Sequence, residues 1–437
     1  MKSLQSNPYY ALFLIICVLL FGCNGAREQQ PPSNITQSEI RLTEDGYRIF
    51  LNDAPFFIKG AGVQKENMET LAAHGANSAR TWSSENGQEV LDQAQALGLK
   101  VMMGIWVVPE RHGFDYNDEN AVQKQLERIR EKVIEFKDHP ALMIWGIGNE
   151  LNHHATNPKV WDAVNDISAM IHEIDPHHLT TTSLAGISQQ DVDHINTLAS
   201  DLDFISIQVY GSVDILPELV SASTYTGPLL ITEWGATGYW EVPKTDWDAP
   251  LENNSSVKAD LYGKRYEKSI VGQSQQVMGS FVFLWGNKQE RTPTWFGMFL
   301  PGGNETESVD MMHYAWNGAW PDNRTPRLLD FTLEGQRGAD NIRLKAGQSY
   351  QAQVIASDPE NDALMYRWEM MKESQSDATG GDAEQVPEVI RDAIATGASD
   401  TATIRAPTQP GAYRLFVYVA DGNNHAAHAN LPVWVDE

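Results

Sequence analysis

The chain has 437 residues, of which 42% are hydrophobic and 21% charged, and its formal net charge is -26 at pH 7. This composition is that of a globular protein, and the length exceeds one ordinary domain of roughly 100–200 residues. Such an acidic surface repels nucleic acid and anionic membrane surfaces, and the sequence has neither a basic patch nor a glycine-rich phosphate loop, so we expect a neutral partner.

The first apolar run covers residues 11–21 and follows Lys2. It is too short to span a bilayer as a helix, which is typical of the core of a signal peptide. The run ends in Leu20-Phe21-Gly22-Cys23, which resembles the bacterial lipobox, although Phe21 stands where that motif usually has a small residue. The alternative is an ordinary secretory signal with incidental cysteines.

The lipobox resemblance implies a signal peptide at residues 1–22, acylation of Cys23 and loss of Cys17 with the signal. We therefore expect a lipid anchor in the bacterial cell envelope, at the outer membrane or on a periplasmic or cell-surface face. Residues 23–38 contain Gln and Pro-Pro, which indicates a flexible tether between anchor and domain.

Residues 40–57 form two alternating segments around Asn52-Asp53, which is a hairpin signal. Short apolar runs then alternate with longer amphipathic stretches. Strands are predicted at residues 56–59, 77–82, 100–106, 141–149, 179–184, 203–210, 228–234 and 280–285. Helices are predicted at residues 66–74, 87–97, 120–137, 159–173, 189–198, 216–221 and 257–277.

These eight strand–helix units, the last without a clear helix, occupy about 260 residues and predict a (β/α)₈ TIM barrel within residues 39–322. A doubly wound open sheet is the alternative. It usually has fewer strands, and here no glycine-rich phosphate turn follows the first strand.

The pattern changes after Pro321, and residues 327–437 predict a small all-β, Ig-like sandwich. Its strands are predicted at residues 342–344, 350–355, 364–369, 401–405, 412–420 and 431–435. A polar stretch at residues 372–399 interrupts them as a long insertion. We find no candidate catalytic group after residue 327 and expect the barrel to turn over small substrates without this region.

The acidic stretch at residues 357–362, followed by Tyr366-Arg367-Trp368, resembles the PKD and cadherin-like modules of secreted bacterial proteins. Asp358, Glu360 and Asp362 could bind Ca²⁺ through carboxylate oxygens, or they could form an acidic hairpin turn. We predict no metal site. The pairs His153-His154 and His177-His178 lack the i, i+4 spacing of a helical zinc pair.

Polar and aromatic residues stand where several predicted barrel strands end, and in such barrels this edge carries the active site. They are Arg80, Trp82, Trp106, Asn149, Glu150, Gln208, Tyr210, Glu233, Trp234 and Trp285. Two carboxyl groups at one mouth are what glycosidic bond cleavage requires, since one donates a proton and the other attacks the anomeric carbon. Indole faces suit the apolar faces of sugar rings.

The stretches "FLNDAPFFIKGAG", "GANSARTW", "MIWGIGNELN" and "LLITEWGA" resemble the barrel of glycoside hydrolase clan A, and family 2 in particular. The resemblance implies that Glu150 is the acid/base and Glu233 the nucleophile. It also implies that Asn149 binds the sugar 2-hydroxyl, that Arg80 and Tyr210 hold Glu233, and that Trp285 forms part of the sugar-binding floor. The remaining substrate-binding candidates are Trp82, Trp106, Gln208 and Trp234.

The chain departs from family 2 in lacking β-sandwich domains before the barrel, and Gln208 stands where relatives often carry His or Asn. The "FFIKG" stretch is also similar to the β-1,3-glucan transglycosylases of fungal walls. We predict a retaining β-glycosidase or transglycosidase that needs no cofactor and acts on a neutral β-linked saccharide, with a β-glucan first. The alternative is a non-catalytic surface glycan-binding lipoprotein.

Taken singly, Asn149-Glu150 could be a helix start and Glu233 a salt-bridged loop residue. Residues 235–256 and 286–318 form long aromatic loops after the last two strands, which either wall a cleft or form a small core beside the barrel.

Overall fold

The computed structural model describes residues 35–63, 67–376 and 380–437. The predicted signal peptide, Cys23 and most of the predicted tether lie outside the described residues. The end of the tether, residues 35–38, contacts the barrel, because Thr36 is buried and its Oγ1 donates to the carbonyl of Pro140 at 2.7 Å. Within the described ranges, no helix has the length and apolar character needed to cross a membrane.

A three-stranded antiparallel sheet precedes the barrel. It consists of β1 (Ser38–Thr43), β2 (Gly46–Leu51) and β3 (Ala54–Phe56). The predicted hairpin at Asn52-Asp53 is confirmed, and both residues have positive φ (48° and 68°), as a type I′ turn requires. Ile49 and Leu51 pack in one apolar cluster with barrel residues such as Phe281, so the sheet covers the end of the barrel opposite the strand tips.

The predicted (β/α)₈ barrel is confirmed as a closed ring of parallel strands. The strands are β4 (Ile58–Val63), β5 (Ser78–Arg80), β6 (Lys100–Ile105), β7 (Leu142–Asn149), β8 (Leu179–Ala185), β9 (Phe204–Gln208), β10 (Leu229–Gly235) and β11 (Val277–Trp285). The α-helices around them are α1 (Met68–Ala73), α2 (Gly87–Leu97), α3 (Glu119–Phe136), α4 (Lys159–Ile174), α5 (Gln189–Leu198), α6 (Leu216–Ala222), α7 (Ser255–Arg265) and α8 (Glu307–Asn317).

The first barrel strand extends to Val63 rather than ending at residue 59. Its continuation contains Gly60 and Gly62, which do not follow an apolar pattern. A Cβ at Gly60 would lie 2.5 Å from Phe281 Cδ1, and one at Gly62 would lie 2.7 Å from Trp82 Cη2. Glycine is therefore required there because aromatic rings inside the barrel pack directly on the backbone.

The eighth unit has a clear helix, so the expectation of none was wrong. Helix α8 begins only after a long loop, and its buried side includes Glu307 and Asp310, which conceals the usual amphipathic pattern. These acids are buried because the C-terminal region lies against them: Arg327 Nη1 bonds to Glu307 Oε1, and Thr325 N donates to Asp310 Oδ2.

The all-β C-terminal region is confirmed as two four-stranded sheets around one apolar core. Its strands are β12 (Arg327–Leu333), β13 (Arg343–Lys345), β14 (Ser349–Ser357), β15 (Met365–Lys372), β16 (Ile394–Thr396), β17 (Thr401–Arg405), β18 (Gly411–Ala420) and β19 (Ala426–Asp436). We call residues 327–437 the sandwich. Asp358 Oδ1 accepts from the backbone N–H groups of Glu360 and Asp362, so the acidic motif forms a turn between β14 and β15.

Buried hydrogen bonds fix the sandwich against the barrel. Asn430 Nδ2 donates to Glu252 Oε2 at 2.7 Å, and Arg414 Nη2 donates to the carbonyl of Pro250 at 2.9 Å. The backbone N–H of His428 donates to Ser255 Oγ at 3.0 Å. The same arrangement brings the polar insertion between β15 and β16 to the mouth of the barrel, because its residues 380–382 line the cavity there.

Candidate active site

A cavity of about 580 Å³ lies at the carboxyl ends of the barrel strands. Its volume is in the range of small-molecule sites. Seven of the ten predicted site residues line it: Trp82, Trp106, Asn149, Glu150, Gln208, Tyr210 and Glu233. The strands therefore bring together residues up to 151 positions apart in the sequence, such as Trp82 and Glu233.

Glu233, near the end of β10, is held by three donors. Its Oε1 accepts from Arg80 Nη1 and from Trp82 Nε1, each at 2.7 Å, and its Oε2 accepts from the Tyr210 hydroxyl at 2.8 Å. Burial and the neighbouring carboxylates raise the pKa of Tyr210 well above its usual range, so that hydroxyl stays protonated. The carboxylate thus has a fixed direction in the cavity.

Arg80 also orients Asn149. Asn149 Oδ1 accepts from Arg80 Nη2 and from Gln208 Nε2, each at 2.7 Å. With its oxygen engaged by two donors, Asn149 has its Nδ2 left to donate toward the cavity that the residue lines. Arg80 itself is only 2% exposed and is absent from the described lining of the cavity, which fits the predicted role of holding Glu233.

Glu150 follows the last residue of β7 in an unusual backbone conformation. Its φ is +50°, and Gly148, two residues earlier, has a φ of +71°. Residues other than glycine rarely adopt this region of backbone space, because it strains them. Three hydrogen bonds hold its backbone there. Its N–H donates to Ser183 O at 2.8 Å, and its carbonyl accepts from Arg111 Nη1 and from the N–H of His153, each at 3.0 Å. The surrounding structure therefore fixes the backbone from which this side chain projects.

The two carboxyl groups differ in the charges and hydrogen-bond donors around them. Burial, followed by the negative charge of Glu233, raises the pKa of Glu150 to about 8, although the positive charges of Arg111 and Arg80 lower it. Glu233 instead receives three hydrogen bonds, one of them from the Arg80 guanidinium. A site that surrounds two carboxyl groups differently can give them different roles in one reaction.

Besides Trp82, two partly exposed indoles line the cavity. Trp106, just after β6, is 37% exposed and stacks on His112, with ring centroids 6.1 Å apart. Trp240, in the long loop after β10, is 51% exposed and meets Tyr210 edge-on. Phe296 from the loop after β11 packs on both Trp240 and Tyr210. The aromatic loops therefore wall the cleft and also pack together, so both interpretations of them hold.

Trp234 and Trp285 are corrections to the predicted site. Both are fully buried and are absent from the described lining of the cavity. Successive side chains of a strand point to opposite faces, so Trp234 points away from the side of Glu233 and packs on Tyr262 and Tyr266. The indole of Trp285 donates to Thr70 Oγ1 at 3.0 Å, and Phe283 and Leu284 line the cavity instead.

The sequence analysis missed three further acidic side chains in the described lining of the cavity, Glu241, Glu290 and Asp382, of which Glu290 is buried. Glu290, in the loop after β11, is 3% exposed and pairs with Lys288 Nζ at 2.7 Å. Burial raises the pKa of Glu290, and the backbone N–H of Gly381 bonds to it. Its place in a loop predicted to wall the cleft was the available signal.

The sandwich also contributes Gly380, Gly381 and Asp382 to the described lining of the cavity. The sequence analysis did not foresee this contribution, and the expectation that the barrel turns over small substrates without the sandwich stays a prediction. No sequence pattern relates this insertion to strand tips more than 90 residues earlier in the chain, because the contact depends on how the sandwich packs on the barrel.

Residues 57–240 match the family described as "Glycosyl hydrolases family 2, TIM barrel domain". The probable mannan endo-1,4-beta-mannosidase C of Aspergillus terreus is 28% identical over 151 residues, which cover 28% of this chain and 36% of that protein. A beta-galactosidase of Leuconostoc mesenteroides is 20% identical over 337 residues, which cover 71% of this chain and 28% of that protein.

The solved structure of a beta-D-glucuronidase from Dictyoglomus thermophilum has a TM-score of 0.50 and 18% identity, and the match covers 65% of this chain and 54% of that one. This likeness concerns the fold. The chain spans 36% and 28% of the length of the two curated relatives. Together the similarities support the clan A-like glycoside hydrolase barrel that the sequence motifs predict.

Proposed function

We propose that this chain is a retaining β-glycoside hydrolase or transglycosidase that works by double displacement. The observation that carries the proposal is the pair Glu150 and Glu233, which line one cavity in opposite environments. Retaining glycosidases need one carboxyl group that holds a proton and one that is ready to attack carbon.

In the first step, Glu233 attacks the anomeric carbon while the bond from that carbon to the leaving oxygen breaks. Glu150 gives its proton to that oxygen, and a glycosyl ester of Glu233 forms. In the second step, the ionised Glu150 takes a proton from water or from a sugar hydroxyl. The resulting nucleophile attacks the anomeric carbon and releases Glu233, which restores both groups.

The surrounding residues support this chemistry by position. Arg80, Trp82 and Tyr210 hold the Glu233 oxygens in one direction, so little reorganisation accompanies attack. Asn149 lines the cavity with its Oδ1 engaged by Arg80 and Gln208, so its amide nitrogen is the group left to bind a sugar 2-hydroxyl, a contact that strengthens in the transition state of this reaction.

The charge of the cavity favours a neutral sugar. Its described lining has five acidic side chains, Glu150, Glu233, Glu241, Glu290 and Asp382. Besides His112 and His153, it has two basic ones, Arg111 and Lys288. Lys288 is paired with Glu290. A sugar carboxylate would meet net negative charge, so the glucuronide named for one structural neighbour is disfavoured here. We place a β-glucan first, with a β-galactoside or β-mannan next.

The competing proposal is a glycan-binding protein without catalysis. A strained backbone at Glu150 and its raised pKa favour the enzyme, because binding a neutral sugar requires neither. The test compares the wild type with Glu233→Gln on a panel of nitrophenyl β-glycosides and β-glycans. Release of sugar that is lost in the variant supports the enzyme. Binding without release, unchanged in the variant, would establish the glycan-binding protein.

We also propose that Cys23 is acylated and anchors the protein in the cell envelope. The support is the Leu20-Phe21-Gly22-Cys23 motif after an apolar run. Cells grown with a labelled fatty acid should yield labelled wild-type protein and unlabelled Cys23→Ser. An unlabelled wild type would refute the anchor and leave the catalytic proposal untouched.

A further inference from the structure

The sandwich residues Gly380–Asp382, which we call the sandwich segment, cross part of the mouth of the cavity. Gly380 lies beside the aromatic loops, since a Cβ there would be 3.6 Å from both Trp240 Cζ3 and Glu290 Oε1. Two residues later, Asp382 Oδ1 lies 3.4 Å from His112 Nε2, after β6. The segment therefore runs between two different loops of the barrel.

The segment is anchored on both sides. Gly381 donates its N–H to Glu290, and the N–H of Arg291 donates to Glu384 Oε2 at 2.8 Å. At the start of the insertion, Glu373 pairs with Arg414 at 2.7 Å, and both side chains are almost completely buried. The insertion is thus connected to the barrel at the cavity and to the body of the sandwich at its base.

Asp382 lies on the side of the cavity that belongs to Glu150. Arg111, the neighbour of His112, bonds to the carbonyl of Glu150 at 3.0 Å, and the N–H of His153 bonds to the same carbonyl at 3.0 Å. Burial lowers the pKa of His153, and the negative charge of Asp382 opposes this shift. In the proposed reaction Glu150 protonates the leaving oxygen, so this side receives the leaving group.

The groups on this side suit a sugar. The indole of Trp106 is partly exposed and can cover the apolar face of a ring. Asp382 is 39% exposed at its side chain, and an ionised carboxylate only accepts hydrogen bonds, which matches the hydroxyl groups at a sugar's edge. A nitrophenyl leaving group has no hydroxyl group to donate and would gain little from Asp382.

We propose that the sandwich segment forms part of the leaving-group subsite, and that Asp382 accepts hydrogen bonds from the sugar that departs. This inference rests on the proposed function. It agrees with an oligosaccharide or polysaccharide substrate, such as the β-glucan placed first above, and it adds that the sandwich takes part in choosing the leaving sugar.

The test uses the full-length chain with two substrates of the same glycone, taken from the panel above: a nitrophenyl β-glycoside and a β-linked oligosaccharide. Asp382→Ala should lower kcat/KM on the oligosaccharide by roughly tenfold or more, the effect of losing hydrogen bonds to a charged acceptor. Its loss on the nitrophenyl glycoside should be several times smaller. Asp382→Asn keeps one acceptor oxygen and should lie between the wild type and Asp382→Ala.

The matched control is Asp392→Ala, which removes an exposed acid from the same insertion outside the cavity lining. It should match the wild type on both substrates. Equal losses on both substrates in Asp382→Ala would overturn the proposal in favour of a general structural effect, and no loss on the oligosaccharide would overturn it outright. Failure of the wild type on every substrate would instead refute the proposed function.

Discussion

Arg80 Nη1 lies 2.7 Å from Glu233 Oε1, and the two side chains are only 2% and 7% exposed. Removing two charges from water costs free energy that their attraction only partly returns, so a buried pair is weak evidence for stability. Arg80 also donates to Asn149 at 2.7 Å. One guanidinium therefore sets the relative positions of the proposed nucleophile and the proposed 2-hydroxyl ligand.

Replacing this guanidinium should damage catalysis even where charge is kept. Arg80→Lys retains one positive charge but cannot donate to Glu233 and Asn149 in the same fixed geometry. We expect kcat to fall on the order of 10²-fold, the scale of losing one preorganised donor. The measurement is steady-state kinetics on a nitrophenyl glycoside. The control is Arg130→Lys, because Arg130 forms an exposed ion pair with Glu173. Wild-type kcat in Arg80→Lys would contradict the positioning role.

The two acids should be separable by azide. With an activated aryl glycoside, Glu150→Ala still forms the glycosyl-enzyme because the leaving group needs little protonation, but it releases the sugar slowly. Azide needs no general base and should speed release as the β-glycosyl azide. In Glu233→Ala, azide attacks from the vacated side and gives the α-glycosyl azide. NMR of the products identifies the anomers, and the same anomer from both variants would contradict the assignment.

The barrel and most of its mouth could be predicted from sequence because both depend on local pattern. Strand ends in a parallel barrel meet at one edge, so Asn149, Glu150 and Glu233 follow from strand positions alone. The orientation of a terminal residue is less accessible. Whether Trp285 enters the cavity or donates to Thr70 depends on the neighbouring helix, and its sequence position does not distinguish the two.

Contacts between the barrel and the sandwich were not predictable at all. Glu307 and Asp310 on α8 are buried by the sandwich, so their helix lacked the expected pattern. Asp382 reaches the cavity only because the sandwich packs on the barrel through side chains such as Arg414 and Asn430. Such polar contacts leave no periodic signal in the sequence.

Trp106 and Trp285 should behave differently when truncated. Trp106 is partly exposed in the cavity, so Trp106→Ala should raise KM for an oligosaccharide by roughly tenfold, the worth of one aromatic contact. Trp285 is fully buried, and Trp285→Ala should lower the free energy of unfolding by roughly 3–5 kcal/mol. Denaturant titration and KM of the folded protein measure both effects. A KM change without destabilisation in Trp285→Ala would restore it to the sugar-binding floor.

The alkaline limb of the activity profile should belong to Glu150. Burial and the charge of Glu233 raise its pKa, so it holds its proton at neutral pH, and kcat/KM should fall as pH rises and that proton is lost. The charge of Arg111 lowers this pKa, so Arg111→Met should move the alkaline limb to higher pH. Arg130→Met, which changes a residue in an exposed ion pair with Glu173, should leave the limb in place. A shift to lower pH in Arg111→Met would contradict the assignment.

The interface between barrel and sandwich should weaken in acid through His428. This side chain is buried, and burial followed by the charge of Lys258 lowers its pKa from the usual 6.5 to about 3. The folded state therefore holds His428 neutral while the unfolded chain takes up a proton below pH 6.5. The stabilising contribution of the neutral His428 is complete above pH 6.5 and is lost as pH falls toward 3, at about 1.4 kcal/mol per pH unit.

His428→Leu cannot titrate, so its Tm should fall less steeply than that of the wild type over this range. His194→Leu, on the exterior helix α5, serves as the control. Parallel Tm curves for His428→Leu and the wild type between pH 6.5 and 4 would show that this buried imidazole does not control the acid sensitivity.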